Sequence, residues 1–297
     1  MGQQQPLAAG GLRLTPEANG STASRRQLAD GRWHFQHGPI DLVVSCDGRP
    51  DVCGEALARA WARFRQVLQE LTPQLASLRG PVRAGLCGEG PIAAAMVQAC
   101  RPYGESLGLF ITPMAAVAGS VADEICRAFH RQGIDRAYVN NGGDIALHLT
   151  GRQHYDVGIV SDLQAPGIDG RFRIDSVSPV RGIATSGWRG RSFSLGIADA
   201  ATVLAATGAA ADAAATMIAN HVNVDSPAVV RRPACELKDD SDLGERLVTV
   251  AVGRLADAEV LSALEAGAAF AEMLRRQGLI AAAALALSGQ VRVVRSR

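Results

Sequence analysis

Residues 209–215 read AAADAAA, six alanines around Asp212. Alanine is the strongest helix former, so the segment is a helix. Alanine-rich helices pack closely and let backbones approach one another. The composition supports a small-residue interior: 47% of the 297 residues are apolar but only 4% are aromatic. The core must be built from Ala, Val, Leu and Ile, and the length suits one large domain or two intimately packed ones.

Periodicity divides the rest of the chain. Residues 1–30, rich in Gln, Gly, Ser and Pro, read as a flexible N-terminal segment, and 31–297 as a single domain. Strand-like runs occupy 32–46, both sides of the turn in 136–151, then 154–162, 171–187, 245–255 and 290–296. Helical spacing covers 54–71, 90–103, 115–133 (with Gly133 as C-cap) and 257–278. In 198–222 a strand at Ala200–Leu204 gives way to a helix from about Ala209. Irregular alternation with hairpins predicts an α+β fold of mostly antiparallel sheets packed with helices.

Thirty Lys and Arg against 29 Asp and Glu leave a net charge of +1, which excludes the basic face of a nucleic-acid protein. Six cysteines show neither CxxC nor zinc-ligand spacing and read as free thiols. The start lacks a basic-then-apolar signal, and the longest apolar run, LIAAAALAL at 279–287, is too short to span a bilayer. A cytoplasmic protein with no membrane association is expected.

Four segments can carry chemistry. Asn141-Gly142-Gly143-Asp144 is a hairpin turn whose glycines also leave N–H groups open to a phosphate or a flat ring. Asp212 and Thr216, four apart, share one helix face; a carboxylate and a hydroxyl there suit Mg²⁺, or equally a helix-terminal charge and a back-bonding hydroxyl. Gly119, in MAAVAGSVADEI, stands at a helix start that can present N–H groups to an anion or pack closely. Thr185-Ser186-Gly187 ends a strand with small hydrogen-bonding groups, and Trp188 follows as a stacking or covering ring.

In this order the four resemble the ApbE-type flavin transferase superfamily, with its AKG-type segment, GGD hairpin, TSG strand end and helix carrying Asp and Thr four apart. The match covers roughly 110–290, and GPIDL and SLGIADAATVLA are similar to the uncharacterised, ApbE-related family labelled thiamine-biosynthesis-like. The resemblance implies a T-fold-like architecture. It implies Mg²⁺ held by Asp212, Thr216 and the backbone carbonyl near Val117. It implies FAD, or FMN, against Gly119, Asn141, Gly142, Gly143, Asp144, Thr185, Ser186 and Gly187. It also implies FMN transfer to a hydroxyl of an acceptor protein. Two departures stand out: the AKG lysine is Ala118, and the family's HHIxDPxTG segment reads RSFSLGIAD, with Ser194 or a neighbour replacing its histidine. His221 beside the Asp–Thr helix reads as a packing or capping residue. The expectations are therefore a flavin nucleotide-binding protein with Mg²⁺, acting in cofactor metabolism or FMN transfer, or a non-catalytic module or remnant scaffold. A homodimer is compatible with the alanine-rich helix.

Overall fold

The computed structural model describes residues 22–159 and 170–295. The chain opens with strands β1 (Ser24–Gln27), β2 (Trp33–His37) and β3 (Ile40–Gly48). Helices α1 (Pro50–Phe64), α2 (Val67–Leu71), α3 (Leu75–Leu78), α4 (Gly90–Arg101) and α5 (Val117–Cys126) follow. Next come β4 (Ile134–Asn141), β5 (Asp144–Leu149), β6 (His154–Ile159), β7 (Gly170–Asp175), β8 (Gly182–Ser186) and β9 (Ala200–Ala205). The chain closes with α6 (Gly208–His221), β10 (Val229–Pro233), α7 (Ala234–Leu237), β11 (Leu247–Val252), α8 (Asp257–Arg276), β12 (Ala282–Leu287) and β13 (Gln290–Val294).

Nine strands form one sheet in the order β1-β2-β3-β4-β5-β8-β9-β12-β13, every neighbouring pair antiparallel. This is the α+β, mostly antiparallel architecture that the hairpin-rich sequence implied. Strand alternation sorts the side chains. Ala146, Ala184, Val203 and Leu285 face the helices, whereas Leu147, Ile183, Leu204 and Ala282 face the β6–β7 hairpin on the other side. The alanine helix α6 is the central one: Ala211, Ala213, Ala214 and Ala219 have no exposed surface. Most of the run at 279–287 is interior strand β12, and among the described residues no helix is long and apolar enough to cross a membrane.

Several boundaries differ from the sequence expectation. The sheet already begins at Ser24, inside the segment expected to be flexible; residues 1–21 of that segment lie outside the described residues. The helix expected over 54–71 starts earlier, at Pro50, whose ring suits the first helical position, and is divided into α1 and α2. The helix expected over 115–133 ends at Cys126 and a short 3₁₀ turn; Gly133, at φ +93°, instead serves the turn into β4. The run 171–187 is two strands of different sheets. Pro179 interrupts it, and the Arg181 guanidinium pins the turn by donating to the carbonyls of Ser176, Ser178 and Val180. The ends of the strands expected over 154–162 and 290–296 also lie outside the described residues.

Candidate functional site

The site is built where α5 and α6 cross. The Oδ2 of Asp212 accepts the N–H of Gly119 at 3.0 Å, and the Ala118 N–H also bonds to this carboxylate. Asp123, one turn beyond Gly119, returns the contact: its two carboxylate oxygens accept the N–H groups of Gly208 and Ala209, both at 2.8 Å. Each helix start has orphan N–H donors, and each is satisfied by a carboxylate from the other helix. The backbones can come this close because Gly119 has no side chain: a Cβ there would lie 2.2 Å from the Gly208 carbonyl oxygen. The Gly119 N–H is thus taken by Asp212, and the close packing read as the alternative at this glycine is present as well.

The β4–β5 turn closes over the same place. Gly142 and Gly143 have φ of +66° and +120°, the left-handed geometry of a two-residue hairpin, and Gly143 N–H donates to Asn140 Oδ1 at 2.8 Å. Asn141, buried, donates from Nδ2 to the Ala118 carbonyl at 3.1 Å and so ties the turn to the start of α5. Asp144 follows, with the Thr185 N–H donating to its carboxylate. Burial pushes the Asp144 carboxyl up to about 7 against the pull of that N–H and of Arg191. Asp212 is pushed well above the carboxylate range, first by burial and then by the charge of Asp144. Two carboxylates in one desolvated place ask for a proton or a cation between them.

Along α6 the half-buried positions Asp212, Thr216 and Asn220 follow one another a turn apart; of the other helix residues only Ala210 and His221 are half-buried. The far end of this stripe reaches the loop after β8: Asn220 Oδ1 accepts the Leu195 N–H at 2.9 Å and the Ser194 hydroxyl at 3.2 Å. At the helical rise the stripe extends about 12 Å.

Of the residues singled out in the sequence, the structure therefore brings together Gly119, Asn141, Gly142, Gly143, Asp144, Thr185 and Asp212, with Thr216 on the same face of α6. Val117 is the first residue of α5, one position before Ala118. Ser186 and Gly187 have structural contacts of their own. Ser186 pairs with Ala201, and Gly187 passes so close to the Asp199 carbonyl that a Cβ would lie 2.4 Å from it. Trp188 is fixed by donating Nε1 to Asp199 Oδ1 at 3.2 Å. His221 packs flat on Phe270, ring centroids 3.6 Å apart, as a packing histidine. Ser194 is buried, and its hydroxyl also accepts the Gly196 N–H at 3.2 Å.

Two features limit the metal reading. No group of three or more His, Cys, Asp or Glu side chains in metal range occurs among the described residues. A cavity of about 490 Å³ lies on the other side of the crossing, lined by Tyr103, Ser120, Asp123, Arg127 and Thr207 among others, and takes in neither Asp144 nor Asp212. Asp123, Arg191 and Asn220 were missed in the sequence. Asp123 and Asn220 carried a usable signal, since each repeats a singled-out residue at i+4.

The model of the family described as AbpE bacteria matches residues 25–293. The chain belongs to that family. Relatives include the UPF0280 protein of Methanopyrus kandleri, 34% identical over 216 residues that cover 71% of this chain and 83% of the relative. The UPF0280 protein of Methanosarcina acetivorans is 37% identical over 215 residues, 72% and 81% of the two chains. Among solved structures, a mutant of flavin transferase ApbE from Vibrio cholerae aligns at a TM-score of 0.49 with 11% identity, covering 93% of this chain and 97% of that one. Apo flavinyl transferase ApbE of Pseudomonas stutzeri aligns at 0.42 with 12% identity, covering 93% and 94%.

Proposed function

We propose that this AbpE-family chain binds a flavin nucleotide, FAD, together with Mg²⁺, at the junction of α5, α6 and the β4–β5 turn. The observation that carries the reading is the convergence of Asp212 and Asp144 beside a glycine turn with exposed backbone. The donors fit a hard cation: carboxylates of Asp212 and Asp144, the Thr216 hydroxyl and a backbone carbonyl at Val117 are all oxygen. With few carboxylates, the remaining coordination falls to ligand phosphates and water, which is how Mg²⁺ is commonly held. When bound, the ion supplies charge neutralisation to a pyrophosphate. The chain's own residues position the nucleotide. Gly142 and Gly143 admit it to the backbone, Arg191 beside Gly142 offers a cation to a phosphate, and Thr185, bonded to Asp144, borders the turn with Ser186 next in β8.

The hydrogen bonding of Ser194 favours a second reading, in which FAD is held without FMN being passed on. Ser194 bonds to Asn220 and Gly196, so it offers no free base where the family resemblance implies a histidine.

The test is FAD binding by fluorescence quenching, with Mg²⁺ and with EDTA, for the native chain and Thr216→Val. Mg²⁺-dependent binding that weakens at least tenfold in the variant supports the site. Equal binding in EDTA, or none, overturns it. Release of AMP with flavinylation of a Thr- or Ser-containing peptide then separates transfer from holding.

A further inference from the structure

Away from this site, the turn from β3 into α1 brings two thiols together. Cys46, near the end of β3, and Cys53, in the second turn of α1, have their sulfurs 3.0 Å apart. The chain between them is forced to double back. Gly48, at φ +153°, crosses so close to the β4 entry that a Cβ would lie 2.4 Å from the Gly133 carbonyl oxygen, which also accepts the Arg49 N–H at 2.8 Å. Pro50 then starts the helix, and Cys53 N–H returns to the Arg49 carbonyl at 2.9 Å. The backbone therefore holds the two sulfurs in contact. Both cysteines are half-buried, open enough for a small reagent, and neither is used by the candidate site.

We infer that Cys46 and Cys53 form an oxidisable dithiol, a modification site that closes to an intramolecular disulfide when a low-molecular-weight disulfide such as oxidised glutathione is present. The hydrogen bond sets the order of events. Cys46 Sγ donates to Cys53 Sγ, and burial together with that neighbour pushes the Cys46 thiol up, so Cys46 keeps its proton and Cys53 attacks first. The Cys53 thiolate attacks one sulfur of the reagent; its S–S bond breaks, a mixed disulfide forms and one glutathione thiolate leaves. Cys46 then loses its proton to solvent and attacks Cys53 Sγ, expelling the second glutathione. Two thiols are oxidised and the reagent is reduced to two thiols. The product staples the first turns of α1 to β3, whose partner β4 runs on to the Gly142-Gly143 turn.

The experiment uses the full chain, reduced and then treated with oxidised glutathione. Arg49 precedes Pro50, a bond trypsin spares, so both thiols fall on the single tryptic peptide 33–59. The expected result is that peptide lighter by two hydrogens, with thiols titrated in denaturant falling from six to four. Oxidation also raises Tm by about 3–8 °C, reversibly, because the unfolded chain is cross-linked. Cys53→Ser loses the shift in peptide mass. Exposed Cys87 and Cys235 are removed together as Cys87→Ser and Cys235→Ser, and this background keeps the change in peptide mass, its thiols falling from four to two. The inference is overturned if alkylation still labels Cys46 and Cys53 after oxidation, or if the bridge maps to buried Cys126. Peptide mapping on the native chain decides between these outcomes even where a variant fails to fold.

Discussion

Asp123 and Asp212 cap each other's helices: the carboxylate on α5 accepts from the first N–H groups of α6, and the carboxylate on α6 accepts from the start of α5. The exchange joins the helix that faces β4 and β5 to the one that faces β8 and β9, so it holds the two halves of the sheet's helical layer in register. Asp123→Ala strips two charge-assisted bonds from a buried helix start and should cost about 1–3 kcal/mol in urea denaturation. Asp212→Ala should cost a similar amount, and the double variant should lose less than the sum, because either loss loosens the same crossing. Strict additivity would show that the two caps act independently.

The glycines divide by the reason for their presence. Gly119→Ala puts a methyl into the Gly208 carbonyl, where both backbones must move, and should destabilise by about 1–3 kcal/mol. Gly143→Ala meets nothing within 4 Å but forces a side chain into φ +120°, so its cost should be about 1 kcal/mol or somewhat more, and should fall on ligand binding if the turn touches the nucleotide. Thermal unfolding of the two variants separates crowding from backbone strain.

Much of this could be read from residue types. The AAADAAA window pointed to a closely packed helix, and Asn-Gly-Gly-Asp to a hairpin turn; both are present. The fate of Asp212 was legible only as a choice, because spacing says which residues share a face and not what lies opposite. The sequence could not reveal that Gly119 N–H faces Asp212, since that depends on a crossing between segments 93 positions apart. Nor could it assign Gly187 and Trp188, whose positions are set by Asp199 in a neighbouring loop. Within 171–187, β-prone residues on both sides of Pro179 masked a change of sheet. The Asn220 step of the polar stripe was open to view, one further turn along from Thr216.

Asp144 makes the metal-free protein dislike high pH. Its folded carboxyl sits at about 7 and its ordinary value is 3.8, so between these the native state binds the proton more tightly. The stabilisation is full below 3.8 and is lost as pH rises through about 7. Asp144→Asn removes the charge and should stabilise the metal-free chain at pH 8 by on the order of 2 kcal/mol, with little effect near pH 4. If the carboxylate faces a cation, Mg²⁺ should raise the Tm of the native chain more at pH 8 than at pH 5.5, and should not do so for Asp144→Asn. A Tm that Mg²⁺ leaves unchanged at both pH values would remove Asp144 from the site.

His130 and His148 give the opposite slope. Their rings stack with centroids 4.9 Å apart, and burial holds both below the ordinary histidine value of 6.5, with Arg127 and Arg181 adding to the effect on His130. For each ring the unfolded state takes up its proton first, so stability is complete above 6.5 and declines as pH falls from there towards the lowered folded value. In the native chain this loss overlaps the gain from Asp144, and the two partly cancel. Asp144→Asn removes one of the opposing carboxylate contributions, Asp123 and Asp212 keeping theirs, so its Tm should fall more, or rise less, from pH 7 to pH 5 than that of the native chain. Adding His148→Phe, which keeps a ring against His130 and cannot be protonated, should shrink that difference by removing one titrating site and the charge that His130 would otherwise face. An unchanged slope in the double variant would assign the acid sensitivity to groups other than this stacked pair.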